Sequence, residues 1–286
     1  MNRPPYVTKD RLKHFITEAI KEDIENGDHS TLGSVPAHSK QKAHLIIKED
    51  CLLAGIDLAL EIFNFYDPSL QIEVLKNDGE QVSKGEIAFI VSGNASSILS
   101  MERLVLNCMQ RMSGIATLSK EMSDLVKGTK TKILDTRKTT PNFRMCEKWA
   151  VYMGGATNHR YGLFDMVMLK DNHNDFAGGI VQSVTSVRKY LQEKQLDLKI
   201  EVETRNLLEV QQAIDVKADI IMLDNMTIKE MEKAVLLIDG CAKTEASGGI
   251  TKERILEIAS IGVDYISSGS IIYGASVKDM SLKAIK

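Results

Sequence analysis

The sequence is poor in the features that mark several large protein classes. Its four cysteines, Cys51, Cys108, Cys146 and Cys241, lie far apart and form no CxxC pair. A disulfide framework or a thiolate metal site is therefore not expected, and reduced thiols in a cytoplasmic setting are. Basic excess is missing too: the formal net charge is −3, which argues against a nucleic-acid binder. No apolar run approaches the length of a membrane span, and no leader peptide is expected ahead of the first helix. No Walker or G-x-G-x-x-G pattern is present, and no Ser-His-Asp or Cys-His arrangement is evident. Nucleophilic covalent catalysis thus has no visible machinery.

What remains is an ordinary globular mixture, 43% hydrophobic and 26% charged, over 286 residues. That length suits one large domain or two moderate ones. Val7 to Ile24 has helical spacing, with Gly27 as its stop. Ala43 to Cys51 alternates like a strand, Gly55 to Phe65 reads as an amphipathic helix, and Leu70 to Leu75 as a strand. Asp78-Gly79 and Lys84-Gly85 read as turns, with Ile87 to Val91 the last strand of an antiparallel α+β unit. Ser96 to Lys127 is a long helical pattern, interrupted at Ser113-Gly114 and expected as two helices. From Lys132 apolar β runs recur, at Lys132 to Asp135, Met166 to Leu169, Lys199 to Val202, Ile220 to Leu223, Thr244 to Ala246 and Tyr265 to Ser267. Helical stretches alternate with them, at Gly179 to Gln192, Asn206 to Val216, Ile228 to Ile238 and Lys252 to Ser260. Such alternation implies right-handed parallel βα units. An incomplete α/β barrel of six or seven strands is the first reading, and a doubly wound open sheet the second.

The chemistry gathers where these strands end. Leu134 to His173 carries T-R-K-T-T-P, then G-G-A-T-N-H-R, then L-K-D-N-H. Pro141 suits the first turn of a helix that would close near Gly154-Gly155. Arg137, Lys138, His159, Arg160 and Lys170 all fall at strand or helix ends, with Trp149, the only tryptophan, between them. Each alone is an ordinary solvated charge. Together, in a chain of net negative charge, they suggest a polyanion site, because Arg offers a planar fork to carboxylate or phosphate and Lys a point charge. Further on, Glu201-Val202-Glu203 and Asp224-Asn225 close two strands, and such acids suit water-mediated Mg²⁺ or ribose hydroxyls. Ser247-Gly248-Gly249 and Ser268-Gly269-Ser270 close the last two. Small residues there let backbone N–H groups approach an oxyanion, at the rim where barrels hold phosphate.

These segments, in this order, closely resemble the quinolinate phosphoribosyltransferase family, over nearly the whole chain from E-D-x-x-x-G-D to the final S-G-S. The resemblance implies the barrel, in residues 116–276, with an N-terminal antiparallel α+β domain in residues 1–115 and a tail, 277–286, packing back on that domain. It implies phosphoribosyl transfer from 5-phosphoribosyl 1-diphosphate to quinolinate, with loss of CO₂ and release of pyrophosphate, giving nicotinate mononucleotide for de novo NAD biosynthesis. It assigns Thr136, Arg137, Lys138, His159, Arg160 and Lys170 to substrate, with Lys138, Lys170, Glu203 and Asp224 catalytic. Glu203 and Asp224 hold Mg²⁺, the expected cofactor, and Ser247 to Gly249 with Ser268 to Ser270 take the 5′-phosphate. Arg103, in M-E-R-L-V-L-N, would reach the neighbouring subunit's site in a homodimer, with a hexamer of dimers as a larger assembly. Asn142, Phe143, Ala156, Ser268 and Ser270 depart from the usual pattern but remove no charged site residue. The alternatives are a nicotinate-using relative, which would need fewer cations, a paralogue associated with molybdenum transport, and a non-catalytic phosphosugar sensor.

Overall fold

A computed structural model describes residues 3–285; residues 1–2 and 286, the outer ends of the first and last expected domain ranges, lie outside it. In chain order the elements are α1 (Lys9–Ile24), α2 (His29–Ser34), β1 (Lys40–Ile47), β2 (Cys51–Leu52), α3 (Ile56–Tyr66), β3 (Gln71–Val74), β4 (Gln81–Val82), β5 (Ile87–Asn94) and α4 (Ala95–Leu125). There follow β6 (Lys132–Leu134), α5 (Arg144–Met153), β7 (Val167–Leu169), α6 (Asp171–Ala177), α7 (Ile180–Lys194), β8 (Ile200–Thr204), α8 (Leu207–Asp215) and β9 (Ile220–Asp224). Last come α9 (Ile228–Ile238), β10 (Lys243–Ser247), α10 (Lys252–Ser260), β11 (Tyr265–Ser267), α11 (Ser270–Tyr273) and β12 (Met280–Ala284). The chain divides into two units, one of residues 1–120, 138–155 and 270–286, the other of 121–137 and 156–269. Among the described residues no helix is long and apolar enough to cross a membrane.

The first unit is built on an antiparallel sheet of order β12-β1-β5-β3. The late strand β12 pairs with β1 from Ala43↔Ala284 to Ile47↔Met280. Alternation along β1 buries Ala43, Leu45 and Ile47 on one face, as the pleat requires. Thr8 caps α1, whose buried face carries Leu12 and Ile16.

Two expectations change here. The run after Ser96 is one continuous helix, α4, not two. Ser113 and Gly114 are contact residues, not a break. The Ser113 hydroxyl donates to Ala54 O at 3.1 Å and accepts from Ala54 N at 2.9 Å. At Gly114 a Cβ would overlap the Ser276 carbonyl. Helical propensity costs about 1 kcal/mol for such a glycine, less than a clash with backbone would. Gly114→Ala is accordingly expected to destabilise the protein by roughly 1–3 kcal/mol, read as a lower midpoint in denaturant at unchanged slope. The second change is at Pro141. The helix begins at Arg144, because Asn142 adopts a left-handed φ of 62° and holds residues 141–143 in a turn. Phe143 then stacks on Phe15, ring centroids 5.6 Å apart.

Glu147 of α5 is fully buried and organises this segment. It accepts from Arg111 Nε and Nη2, from the Thr140 N–H at 2.7 Å and from the Thr140 hydroxyl at 2.9 Å. Arg111 also donates to the carbonyls of Ile272 and Ala275. The T-T-P turn is thus tied to α4 and α11 through one carboxylate.

The second unit is a six-stranded parallel sheet of order β6-β11-β10-β9-β8-β7. That order is a circular walk through the sequence, as in a barrel, and excludes a doubly wound sheet. The seam lies between β6 and β7, where Leu134 makes a single parallel bridge to Thr157. The barrel is therefore the incomplete, six-stranded form. Each strand but the last is followed by a helix of the same unit or by a loop, and α6, between Lys170 and the left-handed stop at Gly178, was not anticipated.

Candidate functional site

Strand register gathers the expected residues on one rim of the second unit. Ser247 pairs with Asp224, Leu223 with Thr204, Val202 with Leu169, and Ser267 with Leu134. Thr136 and Arg137, Lys170, Glu203, Asp224, Ser247 to Gly249 and Ser268 to Gly269 therefore all sit at or just past the C-terminal strand ends, where barrels carry chemistry. Lys138 and Ser270 follow directly in sequence but belong to the first unit, as does Arg103. Arg103 is an exposed side chain of α4, two residues before buried Val105 and Leu106.

The cations are held by specific contacts. Arg160 Nη1 donates to the Met166 carbonyl at 3.2 Å. Burial and the charge of Arg137 lower its pKa. Lys170 is half exposed, its Nζ 4.0 Å from Glu203 Oε2.

Glu203 is almost covered and accepts the Asp171 N–H at 3.3 Å. Burial raises its pKa, and the negative charge of Asp224 adds to the rise. Asp224 accepts from Asn225 Nδ2 at 2.7 Å.

The glycine turns are shaped for close approach. Gly248 and Gly249 have φ of 84° and 56°, and a Cβ on Gly248 would overlap the Asn225 side chain. Asn225, itself at φ 55°, donates its N–H to Ser247 O at 3.0 Å. The Ser267 hydroxyl donates to the Ser247 hydroxyl at 3.1 Å, joining the two turns. The Ser268 N–H continues the sheet by donating to Leu134 O at 3.0 Å. That N–H is therefore spent on the fold, and the single-turn helix α11 has little dipole to add.

His159 is a buried side chain. Its side chain is 5% exposed, with Nε2 3.0 Å from Glu201 and 3.3 Å from Glu245. Its Nδ1 accepts the Arg160 N–H at 2.7 Å. In this position the ring supports the Arg160 backbone. Glu201 is fully buried with this ring, whereas Glu203 lies at the rim. Burial opposes charge on the His159 ring, while the two carboxylates favour it on the Nε2 edge. Burial, with the charge of Glu245, pushes Glu201 up to about 7. The trio therefore competes for protons. Because Nδ1 accepts, the ring hydrogen sits on Nε2, and a further proton of the trio is shared by the carboxylates. Glu245 and Asp135 were not singled out from sequence. The signal was an acid in the middle of an apolar β run, K-T-E-A-S.

The profile of the "Quinolinate phosphoribosyl transferase, N-terminal domain" matches residues 22–113, and that of the C-terminal domain residues 115–283. A Nicotiana tabacum protein named quinolinate phosphoribosyltransferase [decarboxylating] 2b, mitochondrial, is 44% identical over 98% of this chain and 84% of its own. An Arabidopsis thaliana nicotinate-nucleotide pyrophosphorylase [carboxylating], chloroplastic, is 44% identical over 98% and 85%. The nicotinate-nucleotide pyrophosphorylase structure from Francisella tularensis superposes with a TM-score of 0.90 at 38% identity, covering 100% of both chains. The chain belongs to the quinolinate phosphoribosyltransferase family.

Proposed function

We propose that this chain transfers the phosphoribosyl group of 5-phosphoribosyl 1-diphosphate to the ring nitrogen of quinolinate, with decarboxylation, as the names of its relatives describe. The observation that carries this reading is the gathering of Arg137, Arg160 and Lys170 at the C-terminal strand rim, where a planar dianion would offset the charge of Arg137 that lowers the Arg160 pKa. Arg160 and Arg137 bind and orient the two ring carboxylates, and Lys170 adds charge at the same rim; Lys138, next in sequence to Arg137, is the further cation of this reading. The ring nitrogen then forms its bond to C1 as the bond from C1 to pyrophosphate breaks. C1 is oxocarbenium-like at that point, so fixed charges contribute more than a nucleophilic side chain would. Once ribosylated, the cationic ring accepts the electron pair left at C2 as CO₂ departs, and a proton completes the carbon. The glycine turns at Ser247 to Gly249 and at Gly269 receive the 5′-phosphate.

Glu203 and Asp224 fit a Mg²⁺ ion on the chemistry of their donors: two hard carboxylates on adjacent strands, with the charge of Asp224 helping to raise the pKa of Glu203. The ion would supply positive charge to the leaving pyrophosphate. A cytoplasmic location is supported by four free cysteines, of which Cys51, Cys108 and Cys146 are buried. Quinolinate-dependent release of pyrophosphate and CO₂, with nicotinate as the control substrate, tests the whole reading. Pyrophosphate release with nicotinate alone, or none with either, would overturn it.

The assembly we propose is a two-fold dimer in which Arg103 serves the partner's site. An exposed arginine on a helix with buried apolar neighbours is suited to reach outward. Arg103→Ala and Lys138→Ala, each inactive alone, are expected to complement when mixed, dissociated and reassembled. Random pairing makes about half the dimers mixed, each with one intact site, so roughly a quarter of parental activity should return. No return despite proven subunit exchange would place Arg103 in its own chain's site.

A further inference from the structure

Barrel interiors are normally filled by branched aliphatic side chains. This one holds two carboxylates. Glu201 of β8 and Glu245 of β10 are both fully buried, and none of their four oxygens accepts a well-aligned hydrogen bond among the described residues. The group that faces them is the imidazole of His159, at 3.0 and 3.3 Å. Carboxylates are expensive to remove from water, so such a pair marks a purpose beyond packing.

The opposite edge of the ring shows the purpose. Nδ1 accepts the backbone N–H of Arg160 at 2.7 Å. The backbone N–H of His159 donates to Asp135 Oδ1 at 2.7 Å, and Asn158 Nδ2 donates to Asp135 Oδ2 at 2.8 Å. The N-H-R segment is thereby fastened to β6 through Asp135, to β8 through Glu201 and to β10 through Glu245. We propose that Glu201 and Glu245 are positioning residues: they lock the His159 ring as a strut, which fixes the backbone of Arg160 and so the aim of its guanidinium at the anionic substrate. The inference rests on the reading of Arg160 as the quinolinate contact.

A buried metal is the rival explanation, since the three groups offer ligand atoms within 4.8 Å of one another. The ring argues against it. A ligating histidine donates its other N–H to a neighbour, whereas here the other nitrogen accepts. The hydrogen must then sit on Nε2, and that nitrogen has no lone pair to offer a metal.

Steady-state kinetics of Glu245→Gln and Glu245→Ala, with each substrate varied in turn, tests the strut. Glu245→Gln keeps the shape and one acceptor oxygen. It is expected to raise the quinolinate KM roughly tenfold, and Glu245→Ala up to about a hundredfold, from misplacement of Arg160. The KM for 5-phosphoribosyl 1-diphosphate should move by less than about twofold in Glu245→Gln, since that substrate is held by other strand ends. Nitrogen-15 spectra of the parental protein should show the His159 Nε2–H tautomer, and Glu245→Gln should shift that signal. Should Glu245→Ala fail to fold, the isosteric Gln variant decides. An unchanged quinolinate KM, equal rises for both substrates, or one equivalent of bound metal lost on substitution would each overturn the proposal. If the parental protein itself did not turn over quinolinate, the functional reading would fail. The spectra would still report on the strut.

Discussion

Arg137→Ala is expected to cut kcat/KM for quinolinate by roughly thirty- to several-thousand-fold, the equivalent of about 2–5 kcal/mol when a desolvated carboxylate loses its charged partner. Lys138→Ala should fall in the same range. Neither change should harm the fold. Both residues lie in the connection between β6 and α5, outside any strand or helix. For Arg137 the stability effect should even favour the variant. Its charge lowers the Arg160 pKa, so its removal relieves a repulsion. A thermal melt of Arg137→Ala should thus show a midpoint no lower than parental, while turnover collapses. Opposed changes of this kind are usual where binding sites are kept strained for function. Near-parental kcat/KM in either variant would mean that the dianion sits elsewhere.

Removal of divalent metal should abolish turnover, and Mg²⁺ should restore it. Glu203→Ala and Asp224→Ala are each expected to weaken use of the phosphoribosyl donor far more than binding of quinolinate. The reasoning starts from Glu203, which is almost covered and whose pKa is raised by burial and by Asp224. Such a pair would suit a dication, and loss of one member would leave it poorly held. Several kcal/mol of charge stabilisation on the pyrophosphate would go with it, on the order of a thousandfold in rate. Titration calorimetry of the donor with and without Mg²⁺ separates binding from chemistry. Full turnover in excess chelator would sink the metal role, and an equal loss of affinity for both substrates would sink the placement.

Much of this was legible in the sequence for a simple reason. The six parallel strands are buried, so their apolar runs stand out whatever surrounds them, and the helix Ile228–Ile238 has a capping box at Thr227 and Glu230 that marks its start. What was misread depends on partners distant in sequence. Ser113-Gly114 looks like a break until the Ser276 backbone is placed against it. Asp171 to Ala177 looks like loop chemistry, yet the His173 ring accepts the Lys170 N–H and starts a helix there. Glu201 and Glu203 share a face by alternation, but alternation carries no depth. One lies in the barrel interior and the other at its rim. Arg111 and Glu147 meet across 36 residues, and no local pattern announces such a pair.

The pairing of β12 with β1 has a consequence for synthesis. The Asp279 N–H meets the Glu49 carboxylate across 230 residues, and the strand that follows completes the sheet beside β1. While the chain is emerging from the ribosome, β1 and β5 can pair early, but the outer edge of β1 stays open until the far end arrives. An open edge is a template for pairing with other chains, and contacts this remote make folding slow. β12 therefore works as a late seal: a nascent chain stalled before residue 280 leaves the edge of β1 open to chaperones and proteases.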